Sequence, residues 1–292
     1  MKITKIIYPL AIILLLGNAS CSLFKSSTKK DGIVLKYGLS VGQDILVKNE
    51  TESKIITEQM GQSISTDLNS SATYVFTTKS VNDDNSMNIE VEFKGMSQSM
   101  ESSMGSGDTD FSELIGKTAG FKLSDIGVAD NTKGFEDLPE ITTVSGETVG
   151  GEMYEQVMKA TFIMLPDHPV KIGDTWTQQD TTNMPLGEGN LETISKAIYI
   201  ITEKLEVDGN ECFKVDITST STTKGEFEQG GTQLVMERKS TSTGLMVFDY
   251  TRGMYTSMEI ASKTEGIIDV PAAGMTIPQN ITTNTKTTVE FK

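Results

Sequence analysis

The pattern that most restricts this chain is a period of two in its apolar residues. Leu35, Tyr37, Leu39 and Val41 recur at every second position, as do Ala72, Tyr74 and Phe76, then Ile89, Val91 and Phe93, then Phe213, Val215 and Ile217. Successive side chains of a strand point to opposite faces, so this spacing predicts strands with one buried face. Asp208-Gly209, between two such runs, supplies the positive φ angles of a two-residue hairpin turn. Val81-Asn82-Asp83-Asp84-Asn85 reads as a second turn, with 89–93 returning. Leu234 to Met236, Leu245 to Tyr250, Met254 to Ile260 and Thr287 to Phe291 read as later strands, and the mostly polar stretch 49–71 as long strands with one wet face.

One segment breaks the pattern. Met153, Val157, Ala160 and Met164 follow helical spacing, and Tyr154, Met158, Phe162 and Leu165 widen the apolar stripe. Gly150-Gly151 precede it and Pro166 stops it. The expected fold is mainly β (α+β): curved antiparallel sheets packed on one central helix at about 152–165. Such a helix either presses on a sheet or roofs a ligand cavity.

The two halves resemble each other. Val41-Gly42-Gln43-Asp44 matches Ile172-Gly173-Asp174. Tyr74-Val75-Phe76, the turn at 81–85 and Ile89-Glu90-Val91 match Tyr199-Ile200-Ile201, the turn at 207–210 and Phe213-Lys214-Val215. Two repeats, 32–145 and 166–292, joined by the helix would build a duplicated half-barrel.

The N-terminus carries an address. Lys2 and Lys5 precede an apolar run from Ile6 to Leu16, followed by Gly17-Asn18-Ala19-Ser20 and Cys21. A run of about 11 residues is too short to span a bilayer and fits a removable signal peptide over residues 1–20. Ala19-Ser20-Cys21 resembles the lipobox of bacterial lipoproteins, with Asn18 where that family usually has Leu. The resemblance implies acylation of Cys21, a flexible tether over 21–31 and the lipid bilayer as partner. Ser22 after the cysteine resembles lipoproteins sorted to the outer membrane. No acidic run follows it, unlike many Bacteroidota surface lipoproteins, which points to the periplasmic face.

Without residues 1–20 the chain carries 23 basic and 40 acidic side chains, a formal charge of −17. Such a body should bind neither nucleic acid nor anionic headgroups. Chemistry is sparsely provided for. The single histidine, His168, excludes zinc sites that need two. Cys212 sits in an alternating strand and reads as a buried inert thiol. Gly116-Lys117-Thr118 looks like the end of a phosphate loop, but Phe111 stands where that loop needs glycine. Met96, Met100 and Met104 would share a helix face and resemble copper(I) carriers, or would line a packing flap. Adjacent Glu136 and Asp137 could do acid–base work but normally would be solvated. No cofactor is expected, and the chain is read as a non-enzyme.

Residues 197–207 are apolar on both faces and many methionines accompany them. A cavity, if present, is expected beside Phe162, Trp176, Tyr199 and Ile201; the same four would equally fill a closed core. The Lys171-Ile172-Gly173-Asp174-Thr175-Trp176 segment, with the lipobox and hairpin order, resembles a family of uncharacterised Bacteroidota lipoproteins. The architecture is also similar to periplasmic lipoprotein carriers with half-barrels. These likenesses imply an envelope lipoprotein that binds an apolar ligand or an envelope protein. The alternative is a structural or assembly lipoprotein without a small ligand.

Overall fold

The computed structural model describes residues 32–292 except 60, 147, 187, 188 and 230, so the signal segment, Cys21 and the tether lie outside the described residues. Long antiparallel strands dominate. The first half contributes β1 (Asp44–Gln59), β2 (Gln62–Val81), β3 (Met87–Ser102), β4 (Gly105–Thr109), β5 (Thr118–Leu123) and β6 (Ala129–Lys133). A short pair, β7 (Ile141–Thr142) and β8 (Thr148–Val149), leads to helix α1 (Gly151–Ala160). The second half is a meander of β9 (Thr175–Leu186), β10 (Gly189–Val207), β11 (Asn210–Gln229), β12 (Thr232–Asp249), β13 (Met254–Val270) and β14 (Met275–Phe291).

These strands form one curved, unclosed sheet of 12 strands, in the order β6-β5-β3-β2-β1-β14-β13-β12-β11-β10-β9, with β4 on β3. Pairing of β1 with β14 over 13 residues joins the two halves into a single layer. The Asp208-Gly209 turn forms as its sequence dictates, with φ of 51° and 79°. Strands reach 20 residues because the Thr- and Ser-rich stretches stay in the ladder. Thr51 faces Thr285, Ser53 faces Thr283 and Ser242 faces Ser262 within hydroxyl hydrogen-bond distance. The two strands expected at 234–236 and 245–250 are therefore one, β12.

Both halves start alike. The Gly42 N–H donates to Thr78 O (2.8 Å) and the Gly173 N–H to Ile201 O (2.8 Å), each glycine having positive φ. A β-bulge follows Thr78 in one hairpin and Ile201 in the other. The alignment read from sequence is two residues out of register: Phe76 occupies the place of Tyr199, and Ile89 that of Val215.

The helix is shorter than the apolar stripe. It ends at Ala160, and Phe162, Ile163 and Leu165 continue as buried irregular chain. Tertiary bonds take the backbone there out of helical register. Tyr255 Oη donates to Thr161 O, Tyr37 Oη to Ile163 O and the Trp176 indole N–H to Met164 O, while the Leu165 N–H donates to Ile126 O. The concave face is accordingly filled by the whole crossover between the halves, through Phe111, Leu114, Phe135, Leu138, Ile141, Phe162 and Leu165, more than by the helix.

Phe162 is the centre of that filling. Its ring meets Tyr37, Phe76 and Phe121 at centroid distances of 5.4, 5.5 and 5.7 Å, joining the N-terminal segment, β2 and β5. A second apolar cluster, Met184, Leu191, Phe227, Leu234, Met236, Ile268, Val270 and Ile277, closes the other end of β9–β14. Phe162→Ala is expected to destabilise the protein by about 3–5 kcal/mol in urea unfolding. Ile198→Ala, on the exposed face of β10, should change stability by less than about 1 kcal/mol.

Candidate functional site

The sites expected for chemistry are spread apart. Among the described residues no group of three or more His, Cys, Asp or Glu is placed to hold a metal ion. His168 is an exposed loop residue 3.2 Å from the Asp167 carboxylate. Cys212 is buried, and burial, with Asp249 nearby, raises its thiol pKa. Glu136 and Asp137 both face solvent. Met96 and Met100 lie on strand β3 and not on a helix, so four residues separate them by roughly 13 Å along the strand. That spread overturns the shared helical face on which the copper reading rested. β4 and a turn occupy 105–115, and Phe111, which stands where a phosphate loop needs glycine, is core.

The four residues expected beside a cavity are buried together in the main core. Trp176 stacks on Tyr199 with centroids 4.8 Å apart and planes at 10°. Tyr199 Oη donates to Gln178 Oε1 (3.4 Å), and Ile201 pairs with the Gly173-Asp174 turn. Phe162 holds the aromatic centre described above. The crossover segment, which includes Phe162, packs over Trp176, Tyr199 and Ile201, and none of the four lines the cavity described next.

That cavity lies in the other half, between the concave face of β1–β3 and α1. It has a volume of about 150 Å³ and is partly open to solvent. Sheet positions Asn49, Thr51, Ser70, Ala72, Tyr74, Met96 and Gln98 form one wall; Phe111, Thr143, Val149, Met153, Tyr154 and Val157 form the other. The helix thus contributes three consecutive-turn residues to the roof. Alternation explains the sheet wall: Asn49 and Thr51 on β1, and Ser70 and Ala72 on β2, share the inward face where small side chains leave space.

No lining residue carries a charge. The polar groups are fixed in place. Phe93 packs edge-on against both Tyr74 (5.5 Å) and Tyr154 (5.6 Å). Thr109 Oγ1 donates to Gln98 Oε1 (2.8 Å) while accepting the Val144 N–H (2.8 Å). Burial pushes the Tyr154 phenol up to about 12, and burial with Tyr154 beside it raises Tyr74 further, so both stay protonated donors at neutral pH. The Asn49 carbonyl oxygen and the Tyr154 hydroxyl are buried with no hydrogen-bond partner among the described residues. Buried polar groups are nearly always satisfied, so these two are the positions where a bound molecule gains most. The lining offers hydroxyl, amide and thioether groups among apolar side chains, an arrangement suited to holding and orienting an uncharged molecule.

No single sequence signal marked this wall. Its sheet residues come from the polar stretch 49–72, read only as strand, from Tyr74, and from 96–98, where the methionine spacing pointed to a helix face. Only α1 carried a hint, through the width of its stripe.

No family model matches the chain, and no curated protein matches it. Solved structures give distant likenesses. Pseudomonas aeruginosa OccK7 (OpdD) is 8% identical with a TM-score of 0.34, over 86% of this chain and all of that one. The COG4313 outer membrane channel of Pseudomonas putida is 10% identical with a TM-score of 0.26, over 91% of this chain and all of that one. A DUF1329 family protein from Desulfovibrio piger is 9% identical with a TM-score of 0.16, over 83% of each chain. Similarity at this level carries no functional argument.

Tyr154→Phe removes a buried hydroxyl that has no protein partner. The empty protein is expected to be as stable or more stable, by up to about 1 kcal/mol in thermal unfolding, while a ligand bonded to that hydroxyl loses about two- to tenfold in affinity by titration calorimetry.

Proposed function

We propose that this protein is a lipid-anchored binding module of the bacterial envelope, and that its body holds a small, uncharged, largely apolar molecule between α1 and the β1–β3 wall. The observation that carries the binding reading is the cavity itself: preformed, uncharged, and bearing two buried polar atoms without partners. Its volume is that of a benzene-sized guest, or of one end of a longer chain projecting into solvent. Apolar contact would supply most of the affinity, with Tyr154 and Asn49 setting orientation.

The anchor reading rests on the signal segment and on Cys21 with its small-residue approach. Two or more acyl chains hold a protein firmly to a bilayer. Cys21→Ala should move the protein from the membrane fraction to the aqueous extract, with loss of acyl mass from the processed N-terminus. An unmodified Cys21 in the natural product overturns this part.

Binding is checked separately. Protein released from its host should carry a small apolar adduct in native mass spectrometry, or quench and shift a fluorescent apolar probe. Val157→Trp, which fills the cavity, is expected to abolish probe uptake while leaving the far-ultraviolet circular dichroism unchanged. Uptake unaffected by Val157→Trp counts against this cavity as the site.

A second reading, recognition by an envelope protein, draws on β9. Among the described residues no strand pairs with the outer side of this 12-residue strand, and the neighbouring β10 turns Ile194, Ile198 and Ile200 outward. Unprotected edges of this kind accept strands from other chains. Ile198→Lys should then abolish a defined crosslinked species in cells without altering stability; an unchanged crosslinking pattern argues against the edge.

A further inference from the structure

The end of the sheet where the described chain begins carries several exposed apolar side chains. Neighbouring strands all run antiparallel, so the turns at 41–43, 82–86, 171–174, 208–209 and 250–253 gather at one end, together with the finish of β14. Residues 33–39 cross the mouth there, held by Val170, Asp125 and Gly253 backbone groups. Leu35, Tyr37 and Leu39 turn inward and are buried, which leaves Val34 facing out.

Among the described residues, the exposed large hydrophobic side chains Val34, Val41, Val81 and Ile172 sit at this end. Val41 and Ile172 are 62% and 55% exposed, and each immediately precedes a glycine of positive φ. The same turn therefore presents a branched apolar residue to solvent twice, once in each half.

We propose that this end is a membrane-contacting face, seated with Val41 and Ile172 in the interfacial layer of the bilayer. The proposal rests on the reading of Cys21 as the acylated residue. The covalent chain from Cys21 to Asp31 is 11 residues and spans at most about 40 Å. It joins the body at Gly32, next to the Ile33–Val170 bridge, so the anchor holds this end nearer the lipid than any other part. Tethering makes each contact with the bilayer intramolecular, so a few apolar side chains that would not hold a free protein suffice. Charges at this end are mixed and mostly paired: Lys36 with Asp125, Lys79 with Glu90, Lys122 with Asp84, Lys204 with Glu211 and Arg252 with Asp249, beside Asp83 and Asp208. This balance fits a zwitterionic surface and gives no attraction for an anionic one.

The test uses the full acylated chain on phosphatidylcholine vesicles. An environment-sensitive fluorophore is placed on Val41→Cys, on Ile172→Cys and, at the opposite end, on Thr232→Cys; native Cys212 is fully buried. Vesicles that float with the protein report the anchor, and acyl mass at Cys21 confirms its chemistry. The expected result is a blue shift and quenching by lipids spin-labelled near the headgroup at positions 41 and 172, with position 232 unchanged. Flotation with all three positions unchanged overturns the seating and leaves the anchor standing. Absence of both acyl mass and flotation overturns the anchor, and the seating falls with it.

Discussion

An open sheet with one apolar concave face must be given something to bury that face against, and here the chain supplies its own filling. The connection between the halves lays Phe111, Leu114, Phe135, Leu138, Phe162 and Leu165 into the curve, and residues 33–39 add Leu35, Tyr37 and Leu39 from the end. Phe162 touches three rings from three separate segments. The hydroxyls of Tyr37 and Tyr255 and the Trp176 indole then bind carbonyls of the same stretch. Those bonds satisfy backbone that has left the helix, where an unpaired buried carbonyl would be destabilising. Packing and hydrogen bonding thus select the same irregular path.

The strands are longer than this filling. Beyond it, their inward faces turn polar, with Thr57, Thr66, Thr193, Thr223 and Gln279 buried. Arg238 reaches across Gly266 to donate to Gln279 Oε1 (2.6 Å). A side chain at 266 would collide with Arg238 Cγ at 2.5 Å, so the glycine makes the crossing possible. The second apolar cluster then closes the far end. The cavity opens where apolar filling gives way to this polar zone, which accounts for its mixed lining.

The two halves share a device more than a sequence. Each begins with a positive-φ glycine whose N–H bonds the residue before a bulge in the next strand. Bulges bend and twist a sheet, so this placement curls both halves at the same end. The halves differ in what they enclose: Trp176 and Tyr199 stack in one, where the other keeps Ile45 and Phe76.

Residue order alone determined the mainly β class, the hairpin at Asp208-Gly209, the recurrence of a Gly turn and the inert setting of Cys212. Each depends on near neighbours: period-two spacing, positive φ at a turn, or alternation within one strand. Three things escaped it. The helix stopped at Ala160 because side chains from residues 37, 176 and 255 claim the next carbonyls, and those partners lie far off in sequence. Residue order left open whether Phe162, Trp176, Tyr199 and Ile201 line a cavity or fill a core; the crossover, Phe162 included, buries the other three. The cavity wall drew on small polar residues from three strands, which acquire meaning only when β1, β2 and β3 stand side by side under α1. Local spacing sets which face a side chain takes; what meets that face is decided by contacts between distant segments.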